Sequence, residues 1–473
     1  MNRYIYYVAL LLLVSASGCM MGPNYQKPVV NSPEKFRFDS LRADTVLNLK
    51  WWELFNDKHL EALIDTALKY NKDVQIAASR VEEARAVVGY KKADQYPSFG
   101  YEMSVQGTNI EPIGQNGNPG ANYSISPNLN WEIDFWGKYR RGTEAAKAEM
   151  LASQYAQRAV MISLISEVAG TYFLLLDYNA RLEIAEQTLV SRQDGLKIMQ
   201  SKFDYGTVPE LELNQAQINE AIAASAVPAF ERLIAQTEHG LSILLGQNPG
   251  PITDISKLPE QSIPPDIPAG IPSNILERRP DIMVAEHQLA AQTARIGVAQ
   301  AMRLPNISLT GIFGSSSSEL SAILSNSSVI WMVAATLTGP IFNFGKNKRR
   351  VEIERQRTEQ ALLQYEKTVL QAFRDVEDAL VEVNTYGKEF TAVSRQKKAA
   401  ANATLLSQER YYGGVTSYLE VLDSERSLFN ADLAASEIYQ FHLNAYVKLY
   451  KALGGGWISE EEENQAGQAT NNQ

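Results

Sequence analysis

The chain repeats itself at a fixed spacing of 208 residues, so whatever it folds into is built twice. Pro97 pairs with Pro305, Gly137-Lys138 with Gly345-Lys346, Arg141 with Arg349, Gly206 with Gly414, Leu211 with Leu419 and Leu245-Gly246 with Leu453-Gly454. One offset holds from Asp73/Asp281 to Gly246/Gly454, keeping turn glycines and prolines in step, as an internal duplication does. Repeat one is read as residues 51–250 and repeat two as 279–457. Between them, eight of the nineteen prolines fall from Pro249 to Pro280, which makes 251–278 a linker.

Each copy reads as helix, strand, loop, strand, long helix, turn, helix. The first helix of copy one is expected over 59–95, ending before Pro97. Hairpins are expected at 98–136 and 306–342, long helices at 138–205 and 345–412, and return helices at 209–246 and 417–453. No proline interrupts the chain between Lys138 and Pro209, so that helix would run roughly 100 Å at 1.5 Å per residue. Leu175, Leu182, Leu189, Leu196 and Phe203 recur every seven residues, and Val369, Phe373, Val376, Leu380 and Val383 by fours and threes; both read as coiled-coil seams. Gly206 and Gly413-Gly414 stand where a helix C-terminus needs glycine.

The strands alternate. In 123–136, "YSISPNLNWEIDFW", the odd positions Tyr123, Ile125, Pro127, Leu129, Trp131 and Ile133 are apolar or aromatic, while Asn128, Asn130, Glu132 and Asp134 lie on the other face. Phe99, Tyr101, Met103 and Val105 share that parity, as do Ile307, Leu309, Phe313, Val329, Trp331, Val333, Ala335 and Leu337. Four strands cannot close a barrel, and a sheet that spans a membrane can have no free edge. Three chains would supply twelve strands. The fold class expected is an α+β membrane protein: a trimeric twelve-stranded outer-membrane β-barrel, four strands per chain, continuous with a long periplasmic α-helical barrel. Odd faces would meet lipid, and even faces water.

Residues 1–18 read as a signal peptide: one basic residue, Arg3, then an apolar run too short to span a bilayer. It ends in "SASGC", a lipobox-like sequence, and Cys19 is the only cysteine in the chain. Cys19 is therefore expected to carry lipid, anchored by about 0.8 kcal/mol per buried methylene. Residues 19–50 would be an extended, lipid-anchored segment and 458–473 a disordered acidic tail. No transmembrane helix is expected: the most apolar run, 159–176, is interrupted by Glu167. A net charge of −10 argues against nucleic-acid binding. With one cysteine and four scattered histidines, neither a metal site nor a cofactor is expected. No nucleophile–base constellation suggests an enzyme. The basic runs "GKYRR" and "GKNKRR" past the strand ends read as membrane-interface anchors.

Several long stretches are similar to the outer-membrane factor family, the TolC-like channels, and to their OprM-like lipoprotein branch. They are "WWELFNDKHLEALIDTALKYNKDVQIAASRVEEAR" (51–85), "ERRPDIMVAEHQLAAQTARIGVAQAMRLPNISLTG" (277–311), "GPIFNFGKNKRR" (339–350), "YYGGVTSYLEVLDSERSLFNA" from 411, "LYKALGGGW" ending at 457, and "CMMGPNYQKP" from Cys19. The resemblance implies a homotrimer that exports substrates passively. An inner-membrane pump, of the resistance-nodulation-division class, would deliver them through a periplasmic adaptor (membrane fusion protein). It also implies a periplasmic gate of leucine and aspartate rings, which "YLEVLDSER" places on Leu419 and Asp423. Copy one has Leu211 and Gln215 there, so only copy two supplies the carboxylate. Three copies of Asp423 would repel one another, raise a carboxyl pKa and favour cations. The adaptor-facing tips would be Gly206, Thr207, Val208, Gly414, Val415 and Thr416. The competing reading is a coiled-coil lipoprotein that scaffolds the envelope; it needs the helices but not two hairpins of matched parity. Met20 and Met21 are too few to argue for copper or silver as cargo.

Overall fold

The computed structural model describes residues 20–33, 35–37, 51–108, 120–253, 256–264, 276 and 278–455. The expected signal peptide, Cys19, most of 34–50, parts of the linker and the tail 458–473 lie outside the described residues.

The elements are α1 (Lys58–Tyr70), α2 (Lys72–Ala93), β1 (Ser98–Thr108), β2 (Gly120–Ile133), α3 (Lys138–Asp204), α4 (Glu210–Leu244), α5 (Pro280–Ala301), β3 (Asn306–Ser317), β4 (Val329–Thr338), α6 (Lys346–Tyr412) and α7 (Tyr418–Ala452). The long helices α3 and α6 both have 67 residues, the return helices α4 and α7 both 35, and α2 and α5 both 22. Each long helix ends on a glycine with positive φ, 69° at Gly206 and 74° at Gly414. The amide after each glycine bonds back to a carbonyl five residues earlier, Thr207 to Lys202 and Val415 to Arg410, both at 2.9 Å.

Contacts between Cα atoms divide the chain into two compact units that cut across the repeats. One comprises Met1–Val30, Arg80–Gln154 and Val284–Glu366, and holds all four strands. The other comprises Asn31–Ser79, Tyr155–Met283 and Lys367–Gln473.

In the first unit the strands form one antiparallel sheet in the order β1-β2-β3-β4. Its register joins the apolar parities of the two copies: Phe99 lies opposite Leu129, Trp131 opposite Leu309, and Phe313 opposite Trp331. The opposite face carries Ser104 beside Ser124, bonded hydroxyl to hydroxyl at 2.8 Å, and Asn130 beside Thr310.

In the second unit the core gathers Trp51, Trp52 and Phe55 against Tyr172, Phe173, Leu176 and Tyr450. Trp51 stacks on Tyr450 with ring centroids 5.1 Å apart. Burying such side chains contributes about 1.5–3 kcal/mol each. The apolar centre of α3 is thus a core helix; half of its most apolar window is buried within the chain. Asp57 starts α1. Its carboxylate accepts from the His59 and Leu60 amides, from the Tyr172 hydroxyl at 2.7 Å and from the Gln261 amide at 2.6 Å. Burial pushes the Asp57 carboxyl up, but those bonds outweigh it and hold it below the usual range.

Two expectations need correcting. The helix expected over 59–95 is two helices, α1 and α2, broken at Asn71. The Asn71 side-chain oxygen accepts from the Asp73 and Val74 amides, capping α2, and its amide donates to the Leu244 carbonyl at the end of α4 at 2.9 Å. Its repeat equivalent, Arg279, donates to the carbonyl of Ala452 at the end of α7 at 3.0 Å. The leucine heptad of α3 is also not what the chain itself buries beyond Leu175. Ala185, Arg192 and Met199 are buried, while Leu182, Leu189 and Leu196 are half-buried and Phe203 is exposed.

Candidate functional site

At the turns of the second unit the two helical hairpins meet. Met199, Leu213 and Ala216 of copy one pack with Tyr418, Val421 and Leu422 of copy two. Glycine turns that reverse the chain without a Cβ penalty place these side chains together. Of the expected tip residues, Gly206, Thr207, Gly414 and Val415 are exposed. Val208 is half-buried against this cluster, and Thr416 is half-buried and donates to Glu420.

Leu419 and Asp423 lie one turn apart on α7, and both are exposed, Leu419 at 59%. They line a groove of about 230 Å³ with Gln215, Ile218, Asn219, Ile222, Leu422 and Arg426. The structure therefore brings the expected gate residues of copy two beside Gln215 of copy one. Leu211 is exposed at 65%. Arg426, three residues along the same helix face, forms an ion pair with Asp423. Each carboxylate so comes with a cation of its own, which weakens the like-charge repulsion expected of an aspartate ring.

Asn219 of this groove also holds a cation that the sequence did not point to. Arg192 on α3 is 5% exposed; its Nη1 donates to the Asn219 carbonyl at 2.7 Å, and its guanidinium lies 5.0 Å from the Phe429 ring centroid. Asn219 in turn donates to Glu425 at 3.1 Å. Burial holds Arg192 below the usual arginine range, and the charge of Glu425 only partly offsets it.

The sheet leaves its apolar face exposed: Phe99, Tyr101, Met103 and Val105 of β1 and Trp331, Val333 and Leu337 of β4. Trp131 is half-buried, and its ring N–H donates to the Gln95 carbonyl at 3.0 Å, which fixes it at the strand end. The water face is less uniform than expected, since β3 and β4 place Ile312 beside Met332 and Ile330 on it. Among the described residues no group of three or more His, Cys, Asp or Glu is placed to hold a metal ion.

Among the described residues the outer strands β1 and β4 each keep an unpaired edge, the exposed face is apolar, and each hairpin is followed in the chain by a 67-residue helix. Such a protomer defines a class of outer-membrane channel. The family described as outer membrane efflux protein matches residues 63–247 and 271–455, once for each copy, and the chain belongs to that family. Over 464 residues it is 36% identical to the solvent efflux pump outer membrane protein SrpC of Pseudomonas putida, covering 95% of this chain and 97% of that protein. It is 34% identical over 455 residues to the cation efflux system protein CusC of Escherichia coli, covering 94% and 97%. Among solved structures, the outer-membrane channel OprN superposes with a TM-score of 0.87 at 28% identity, over 93% of this chain and all of that one. The fold is that of the efflux-channel protomer, whose four strands are one third of a trimeric barrel, and the protein is an outer-membrane efflux channel.

Proposed function

We propose that this channel is the passive duct of a tripartite pump, closed at its periplasmic end by Leu419 and Asp423. A homotrimer would bring three Leu419 side chains together as an apolar plug with three Asp423–Arg426 pairs beside it. The observation that carries the reading is the groove in which Leu419 and Asp423 stand exposed beside Gln215, at the turn end of both hairpins. A periplasmic adaptor would meet the exposed turns at Gly206-Thr207 and Gly414-Val415 and draw the hairpins apart, and an inner-membrane pump of the resistance-nodulation-division class would supply the energy. The relatives named for a solvent pump and for a cation system are about equally similar to this chain. Cargo of opposite polarity on one scaffold fits a duct that leaves selection to its pump. Lipid on Cys19 would add an anchor to the barrel, supported by the lipobox-like "SASGC".

The test is Leu419→Ala with Asp423→Ala, studied in planar bilayers without adaptor. Conductance rises if these residues close the channel, and cation preference falls only slightly because Arg426 already answers the carboxylate. Wild-type conductance in the double variant removes Leu419 and Asp423 from the gate.

A further inference from the structure

The two strand-to-helix junctions are repeat equivalents, yet their cations are answered differently. In copy one Lys138 bonds Glu132 at 2.7 Å, Arg140 bonds Asp134 at 3.3 Å and Arg141 bonds Glu144 at 2.7 Å, three cations against three carboxylates. Arg141, 1% exposed, also donates to the carbonyls of Met21 at 2.9 Å and Gly22 at 3.1 Å and to the Asn24 side chain at 2.8 Å. The residues that follow Cys19 thus fill a socket on this junction. Gly22 and Gly297 approach so closely there that a Cβ on either would collide with backbone.

Copy two shows none of these glycine contacts. The positions of Glu132 and Asp134 become Pro340 and Phe342, while the cations rise to four: Lys346, Lys348, Arg349 and Arg350. One carboxylate, Glu352, stands 2.7 Å from Arg349 and 4.0 Å from Lys348, whose side chains are 77% and 73% exposed. A Cβ on Gly89 or on Gly345, the counterparts of Gly297 and Gly137, would meet no atom within 4 Å among the described residues.

We propose that the copy-two junction binds the phosphate of an anionic phospholipid in the periplasmic leaflet of the outer membrane. The surplus of cations supplies the charge, and clustered basic residues at a bilayer surface attract anionic lipid. Ile341 and Phe342 stand exposed beside them as apolar surface for acyl chains. The height follows from the repeat: Arg141 faces the residues that adjoin Cys19, so its counterpart Arg349 faces the same leaflet. The assignment rests on the outer-membrane reading and, for that height, on lipidation of Cys19.

The experiment is native mass spectrometry of the full-length trimer in detergent with phosphatidylglycerol or phosphatidylcholine added. Phosphatidylglycerol is retained in preference. Lys348→Gln with Arg349→Gln weakens that retention about thirtyfold, at about 1 kcal/mol per basic residue. Arg140→Gln in copy one leaves it unchanged. If the pair fails to assemble, Lys346→Gln with Lys348→Gln is read in the same way. Equal retention of the two lipids, or no loss in either pair, overturns the proposal. The same spectra report the trimer mass and the acyl mass on Cys19, so failure of assembly or of lipidation is distinguished from failure to bind lipid.

Discussion

Helices α3 and α6 have the same length and the same place in their repeats, but equivalent positions along them are buried unequally. Tyr172, Phe173, Leu175 and Leu176 of α3 are buried to 1% exposure or less. Their counterparts on α6 are Leu380, Val381, Val383 and Asn384, of which Leu380 alone is buried and Asn384 is exposed. The duplication has kept the geometry, fixed by turn glycines, and has divided the packing unequally. Length and register are set by a few backbone positions, whereas burial is set by what each face meets.

The largest expected effect comes from breaking that inequality. Phe173→Ala should cost about 3–5 kcal/mol, as large-to-small changes in a packed core do. Val381→Ala, at the equivalent half-buried position, should cost less than about 1.5 kcal/mol. Thermal melting of the detergent-solubilised protein measures both, and equal losses would mean that α6 is packed as tightly as α3.

The strands should show the reverse: near equality between copies and a sharp difference between faces. Met103→Arg in β1 and Val333→Arg in β4 put a charge on the apolar face and should each cost about 2–4 kcal/mol near the bilayer midplane. Ser104→Arg and Ala334→Arg, one residue on, face water and should leave the trimer mass in native mass spectrometry unchanged. Equal damage from neighbouring positions would refute the face assignment in that copy.

The smallest effect concerns Asp57, which lies ahead of the stretch over which the 208-residue offset holds and has proline at the offset position, Pro265. Its carboxyl is held below its unfolded value, so it contributes stability above the ordinary carboxylate range, and that contribution is lost as pH falls through the folded pKa. Asp57→Asn should lower the melting temperature modestly at pH 7 and flatten its fall below about pH 4. An unchanged acid slope would show that other carboxyls carry it.

The features legible in the sequence were those with a fixed period or a special backbone. Strand parity follows from a two-residue repeat, and the register confirms it across all four strands. Helix ends followed from Gly206 and Gly414, whose positive φ few other residues tolerate. The break at Asn71 was not legible, because the run on either side suits a helix and what ends it is a bond to Leu244, 173 residues away. Arg192 was hidden for the same reason, since its burial depends on Asn219 and Phe429 from two other helices. At the gate, Leu419 and Asp423 came from the family motif. Arg426 could have been found by its three-residue spacing from Asp423.

In mechanical terms, each copy pairs one unbroken beam with one that is spliced. The spliced member is 35 residues of return helix abutting 22 residues of a second helix, with no peptide bond across the joint. A continuous helix spreads bending along its length, while a butt joint concentrates it. At the first joint the fastener is the neutral amide of Asn71. At the second it is the guanidinium of Arg279, itself braced by Asp281 at 2.7 Å and Asp375 at 3.1 Å. Charge-assisted bonds are roughly twice as strong as neutral ones. The copy-one splice is therefore the one held by the weaker fastener.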